Sequence, residues 1–182
     1  MSFCLWVTGL PGSGKSTIVK ELEPMLSDIG IEVIVLSLDH LRKIITPEAR
    51  YTDEERELVY RSLAATAHIL TERAGKNVII DATGNRKEFR ALARKLIPKF
   101  AEVYVACPLE ISKRREAFRR GQPVEKDLYQ RAEEGTLKGN MPGVTAPYEE
   151  PEAPEVRVAS DRLSPRQSAE RIMNYVRKKW FS

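Results

Sequence analysis

The sequence has no long apolar run. Nothing in its 182 residues approaches the roughly 18–20 consecutive apolar residues that cross a bilayer, so a membrane-spanning class is excluded. Residues 1–8 (MSFCLWVT) lack a basic stretch and lead straight into a glycine-rich loop, which argues against a cleaved secretory leader. Cysteine is scarce. Cys4 and Cys107 each stand alone in a strand-like run, with no metal-ligand spacing and no disulfide framework, and read as small core residues in a reducing cytoplasm. The two histidines offer little chemistry: His68 falls in a long helical stretch and His40 only neighbours a candidate site. No repeat, low-complexity tract or interdomain linker breaks the chain, so one domain over 1–182 is expected. Charge of one sign is not in excess either. Thirty Lys and Arg against 26 Asp and Glu leave a net +4, compatible with an anionic ligand and equally with an ordinary solvated surface.

What is present is an alternation of strand and helix. Short runs rich in Val, Ile and Leu recur at Phe3–Thr8, Glu32–Leu36, Asn77–Asp81, Glu102–Ala106 and Val156–Ala159. They do not alternate in polarity, as expected of strands covered on both faces. Between them, Ser13–Asp28 reads as a helix ended by Gly30. A second begins at Thr52, with Glu55 to complete a capping box, and ends at Gly75. A third opens with Ser164, Pro165 and Gln167 and runs to the C-terminus, where Arg177, Lys178 and Lys179 suit the negative end of the helix dipole. The pattern predicts an α/β fold, a five-stranded parallel sheet with helices on both faces. The stretch 108–154 gathers most of the remaining Gly, Pro and Arg. It reads as a lid segment, long and basic beside a phosphate-binding fold.

The strongest motif is Gly9-Leu10-Pro11-Gly12-Ser13-Gly14-Lys15-Ser16 followed by Thr17, a complete GxxxxGK[ST] between a strand and a helix. Glycines let the backbone wrap phosphate oxygens with its N–H groups turned inward. Lys15 can neutralise the β- and γ-phosphates, and the Ser16 hydroxyl can ligate Mg²⁺. The loop implies ATP as the donor without naming the acceptor.

Acceptor candidates follow the next two strands. Asp39 and Arg42, spaced i, i+3, share one helical face just past the second strand. Asp39 can orient or deprotonate an acceptor hydroxyl, or else simply cap the helix; Arg42 can hold an anion. Arg56 continues the apolar stripe of Val59, Leu63, Ala67 and Leu70, so it points inward at an anion or snorkels to the rim. Asp81 ends the third strand, the usual place for a carboxylate that holds the water shell of a metal. Thr83 follows and is placed among the substrate-binding residues. Arg114, Arg115, Arg119 and Arg120 cluster later; Arg115 is assigned to ATP, and a nucleic-acid track is the alternative.

With these residues in hand, the chain resembles the adenylylsulfate (APS) kinase family of P-loop enzymes. The resemblance is carried by Asp127-Leu128-Tyr129-Gln130-Arg131-Ala132 through Gly135, Lys138-Gly139, Pro147-Tyr148-Glu149, Pro151–Glu155 and Pro108-Leu109-Glu110. It implies a homodimer with Mg-ATP as donor and the ribose 3′-hydroxyl of APS as acceptor, giving 3′-phosphoadenylylsulfate (PAPS). Residue by residue it places Asp39 and Arg42 in the family's D-G-D-N-x-R motif, Arg56 on APS, and Lys126 and Lys138 among lid lysines that bind substrate. Departures fall on the acceptor side. Ser37, Leu38 and His40 replace motif residues, Val59 replaces an APS-binding Asn, and Asn140 stands where a Phe stacks on adenine. Asp81-Ala82-Thr83-Gly84 replaces the residues around Ile-Ser-Pro, and about eight residues are inserted around Ala117–Val124. Asp81-Ala82-Thr83 also resembles small kinases acting on nucleotide ends, sugars or seryl-tRNA. The expectation is therefore a cytoplasmic kinase for a small anionic alcohol, APS first, with another acceptor or a non-catalytic nucleotide-binding role as alternatives.

Overall fold

The computed structural model describes residues 2–50, 52–118, 128–137 and 139–181. Five parallel strands, β1 (Cys4–Thr8), β2 (Val33–Ser37), β3 (Asn77–Asp81), β4 (Phe100–Ala106) and β5 (Val156–Ala159), form one sheet in the order β2-β3-β1-β4-β5. Helices α1 (Lys15–Ser27) and α7 (Pro165–Trp180) cover one face; α3 (Asp53–Glu72) and α4 (Lys87–Leu96) cover the other. Helix α2 (Leu38–Ile45) follows β2 directly, and α5 (Leu109–Ala117) and α6 (Leu128–Glu133) lie in the predicted lid segment.

Successive side chains of a strand point to opposite faces, so β1 serves two cores at once. Leu5 and Val7 meet Ile18, Leu22 and Leu26 of α1 and Ile172 and Val176 of α7. Cys4 and Trp6 meet Val59, Leu63 and Ala67 of α3 and Phe89 and Ala93 of α4. Every β1 residue is buried, and burial pushes the Cys4 thiol pKa far up, leaving it inert. Cys107 departs from expectation. It lies just past β4, only half-buried, with its Sγ 3.7 Å from Arg115 Nη1. Strand β2 also departs, being half-exposed throughout because it forms the sheet edge.

The caps follow the sequence closely. Ser164 and Gln167 form the reciprocal capping box at α7, with Pro165 at its start. The box expected at α3 is only half formed: Thr52 accepts the Glu55 N–H, but the Glu55 carboxylate accepts the N–H of Arg50. His68 packs as expected, its Nδ1 2.9 Å from the Leu96 carbonyl. Helix α4 has no counterpart among the predicted elements.

Part of the predicted lid is fastened to the body. Asn85 donates to the Pro147 carbonyl (3.2 Å), Glu149 and Asn85 pair through their backbones (2.8 Å), and the Glu149 carboxylate accepts the Lys87 N–H (2.6 Å). Farther on, Glu155 accepts two bonds from Arg94, at 2.5 and 2.8 Å, and the Glu102 N–H at 2.7 Å. Residues 147–155 are thus a strap bound across α4 and β4.

Burial raises the Glu155 pKa, but the Arg94 guanidinium and the Glu102 N–H outweigh it and hold the carboxyl below its ordinary 4.5. A depressed folded pKa stabilises the fold above the unfolded value and loses that contribution as pH falls through the folded one. In urea titrations, Glu155→Gln is therefore less stable than wild type at neutral pH, and the difference closes below pH 4.5.

Candidate active site

Parallel strands bring their carboxyl ends to one edge, and the candidate residues collect there. The loop after β1 wraps into α1, whose start differs from those of α2, α3 and α7. Ser37, Thr52 and Ser164 cap those helices with side-chain oxygens. Helix α1 begins at Gly14, in the left-handed region at φ 98°, with no side-chain cap and no acidic residue in its first turn. Its leading N–H groups are left to a ligand, and the dipole favours an anion there. Lys15 is buried and donates to the carbonyls of Gly9 (3.0 Å) and Leu10 (2.9 Å), so the loop holds its own cation over the nest. The loop is braced from outside: Tyr129 of α6 donates to the Pro11 carbonyl (2.8 Å). Gly12, at φ 76°, lies so close to α5 that a Cβ there would collide with the Ser112 carbonyl oxygen.

Two clefts open at this edge. The first, about 470 Å³, is lined by Gly12, Gly14, Lys15, Ser16, Thr17, Lys20, Ser37, Asp39, Asp81, Thr83, Arg115 and Glu116 among others. The second, about 270 Å³, is lined by Arg42, Lys43, Arg56, Tyr60, Leu137, Asn140 and Met141 among others. They share Pro11, Leu38, Asp39, Thr83 and Leu128. Asp39 and Thr83 therefore stand where a phosphate-binding cleft meets a cationic one.

The structure decides two open readings. The N-cap of α2 is Ser37, which accepts the His40 N–H at 3.5 Å. Asp39 sits in the first turn, exposed to both clefts, so the capping reading of Asp39 falls. Arg56 does not snorkel. It is only 6% exposed, donates Nη2 to the Asn140 carbonyl (2.9 Å), and has its Nε buried without a partner among the described residues. Desolvation, with Arg42 and Arg86 nearby, lowers its pKa below the ordinary guanidinium value. A buried guanidinium beside a second cation is suited to bind an anion.

Arg115 is tied inward, with Nη2 on the Ser160 carbonyl (2.8 Å) and Nη1 on Ser160 Oγ (3.2 Å) and the Ser13 carbonyl (3.5 Å). It borders the donor cleft and also a third cleft of about 530 Å³ with Thr17, Ile18, Ser160, Asp161, Arg162, Leu163 and Pro165. Arg114 lines a separate groove beside Lys113 and Glu133, so Arg114 and Arg115 do not form one track. Arg119, Arg120, Lys126 and Lys138 lie outside the described residues.

Sequence reasoning missed Ser160–Leu163, Tyr60, Leu137 and Met141. Their place at the clefts is set by tertiary contacts, although the inward stripe of α3 could have flagged Tyr60, next to Val59. Among the described residues no three His, Cys, Asp or Glu gather as a metal cage. Ser16 and Asp81 both line the donor cleft, and a hydroxyl and a carboxylate are the oxygen donors suited to Mg²⁺ when phosphates and waters complete its shell.

The sequence model of the family described as adenylylsulphate kinase matches residues 1–159. The chain is 37% identical over 171 residues to a probable adenylyl-sulfate kinase of Pyrococcus abyssi, covering 94% of this chain and 92% of that protein. It is 35% identical over 180 residues to the adenylyl-sulfate kinase of Thermodesulfovibrio yellowstonii, covering 98% and 85%. Among solved structures, the Mycobacterium tuberculosis APS kinase CysC in complex with AMPPNP and APS superposes with a TM-score of 0.83 at 31% identity, covering 96% of this chain and 97% of that one.

The close approach of Gly12 to α5 makes it the weak point of the loop. Gly12→Ala should lower affinity for a fluorescent ATP analogue by at least about tenfold, because the loop N–H groups must move off the phosphates. Gly30→Ala, with equally positive φ but open space around it, should cost only about 1 kcal/mol of stability and leave nucleotide binding intact.

Proposed function

The chain belongs to the adenylylsulphate kinase family, and from that premise we infer that it transfers the γ-phosphoryl group of ATP to the 3′-hydroxyl of APS, giving PAPS. The observation that carries this reading is the meeting of two clefts at Asp39, with Lys15 on one side and Arg42 and Arg56 on the other. The chemistry is displacement at phosphorus: the acceptor oxygen bonds to the γ-phosphorus, the bond to the β,γ-bridging oxygen breaks, and the hydroxyl proton leaves.

Each cleft supplies a part. The loop N–H groups and Lys15 hold the β- and γ-phosphates and stabilise charge on the leaving oxygen. Arg115 and the Ser160–Pro165 loop border the third cleft, which opens beyond Gly14 and Thr17 and suits the base of ATP. Arg42 and Arg56 take the anionic phosphosulfate of the acceptor, while Leu137, Met141 and Leu128 offer apolar contact to its adenine. Asp39 orients the hydroxyl and receives its proton, and Thr83 flanks it at the junction. Ser16 and Asp81 are the residues that would hold Mg²⁺, which neutralises phosphate charge when bound.

The same reading includes one kinase domain, a lid within 108–154 that excludes water and a cytoplasmic location, which rest on the composition and pattern of the chain, and homodimeric assembly, which rests on the family resemblance. Lys126 and Lys138 enter it only through that resemblance. No helix among the described residues is long and apolar enough to cross a membrane.

The test is turnover with Mg-ATP and APS against a no-acceptor control and a panel of sugars, nucleosides and RNA ends. Wild type should form PAPS. Asp39→Ala should bind ATP as wild type does while kcat falls by about 10²–10⁴. ATP binding without PAPS formation, or turnover that survives Asp39→Ala, would overturn the assignment.

A further inference from the structure

The loop after β3 is held in an unusual way. Its three carbonyls in succession each accept a bond from a side chain on another element. Trp6 Nε1 donates to Ala82 (3.1 Å), Thr8 Oγ1 to Thr83, and Arg90 Nη1 to Gly84. The Gly84 N–H in turn donates to the Tyr60 hydroxyl at 2.9 Å. Gly84 itself sits at φ 53° with a Cβ position only 3.0 Å from Trp6 and Arg90 atoms, so the loop is packed as tightly as it is bonded.

Arg90 does more than hold this loop. It is 3% exposed. Its Nε meets the Glu102 carboxylate at the start of β4, and its Nη2 donates to the Glu149 carbonyl of the strap at 2.7 Å. Three nitrogens of one planar group thus bind three separate segments. Tyr148 of the strap stands 2.9 Å from Thr8 Oγ1 through its own hydroxyl, so strap and loop meet at a second point. Arg90 lines neither the donor nor the acceptor cleft, and its buried charge is met by the Glu102 carboxylate and the two carbonyls.

We propose that Arg90 is a positioning residue for phosphoryl transfer. Acting through the Gly84 carbonyl, it fixes Thr83 at the junction of the two clefts and locks that loop to the strap from which 108–146 extends. The inference rests on the kinase reading above for the substrates, but not for the geometry. A lysine would keep the charge opposite Glu102 and lose the other two bonds, because an ammonium cannot span three acceptors in one plane. The Gly84 and Glu149 carbonyls would then be unpaired and the loop free to shift. Misplacement at a reacting centre is costly in rate even when binding elsewhere is untouched.

Arg90→Lys and Thr8→Val are compared with wild type. The second removes a different tie to the same loop and is nearly isosteric, so it keeps the test open should the first fold poorly. In both, kcat/KM for the acceptor should fall by about tenfold or more while affinity for ATP stays within about twofold. Backbone amides of residues 83–86 should exchange hydrogen faster, with α1 and β1 amides unchanged. Acceptor kinetics and ATP affinity falling together in step with Tm would mean a merely structural residue, and would overturn the proposal. So would unchanged exchange at 83–86, a readout that needs no acceptor. Failure of wild type to make PAPS would instead overturn the functional reading, and the variants would then be scored on exchange and ATP affinity.

Discussion

The leading N–H groups of α1 have no side-chain cap, and the architecture around them follows from that lack. A helix start without a cap must be met by water or by an anion, and this one is surrounded by a loop whose glycines at 12 and 14 adopt positive φ and whose own Lys15 is held over it. The same absence of a side chain at Gly12 lets α5 approach until the Ser112 carbonyl nearly touches the loop. Through α5 the loop fixes Arg115, which is bonded to Ser13 of the loop and to Ser160 beyond β5. The phosphate loop thus ties together segments distant in sequence, and they border the donor cleft and the third cleft together.

The acceptor side depends on a different constraint, the covering of backbone carbonyls at the end of β3. Strand β3 pairs with β1 and β2 up to Asp81, and beyond it the ladder can no longer satisfy the chain. Side chains take over one by one, from Trp6 and Thr8 of β1 and from Arg90 of α4. A loop held this firmly serves as a fixed wall between the clefts. Asp39 stands opposite on a helix whose first turn is capped by Ser37, so the junction is framed by two elements whose backbones have little freedom.

Much of this was legible before any coordinates. Strands with uninterrupted Val and Ile announced a covered parallel sheet, and two of them, Asn77–Asp81 and Val156–Ala159, have the expected bounds. The phosphate loop and the α7 cap are local signals, carried by neighbours in sequence. Helix α4 carries a legible stripe of Phe89, Leu92, Ala93 and Leu96 that the strand–helix reading passed over, but the inward role of Arg90 beside it was not legible. An arginine in that stripe looks solvent-facing until Glu102, Gly84 and Glu149 are brought to it by the fold. The third cleft escaped because its partners are distant: Ser160 is an ordinary loop residue until Arg115 reaches it from 45 positions away. The rule that separates the two groups is physical. Elements whose partners lie within a turn or a strand can be read from spacing, and those satisfied by distant partners cannot.

The departures at Val59 and Asn140 acquire meaning from the same geometry. Val59 is fully buried in the core between α3 and the sheet, so an amide there would need a partner inside that core or a path to the cleft. Here the position supports packing, and the polar group that α3 brings to this wall is Arg56, one turn back. That guanidinium reaches the carbonyl of Asn140, and so the backbone of residue 140, rather than its side chain, is the fixed feature on that wall. Apolar contact to an acceptor then falls to Leu137, Met141 and Leu128, flexible side chains that adapt to a flat group without stacking on it. On the proposed reading, recognition in this cleft is weighted toward the anion, because Arg56 is a buried charge whose direction is set by its bond to Asn140, while Asp39 faces both clefts from the first turn of α2.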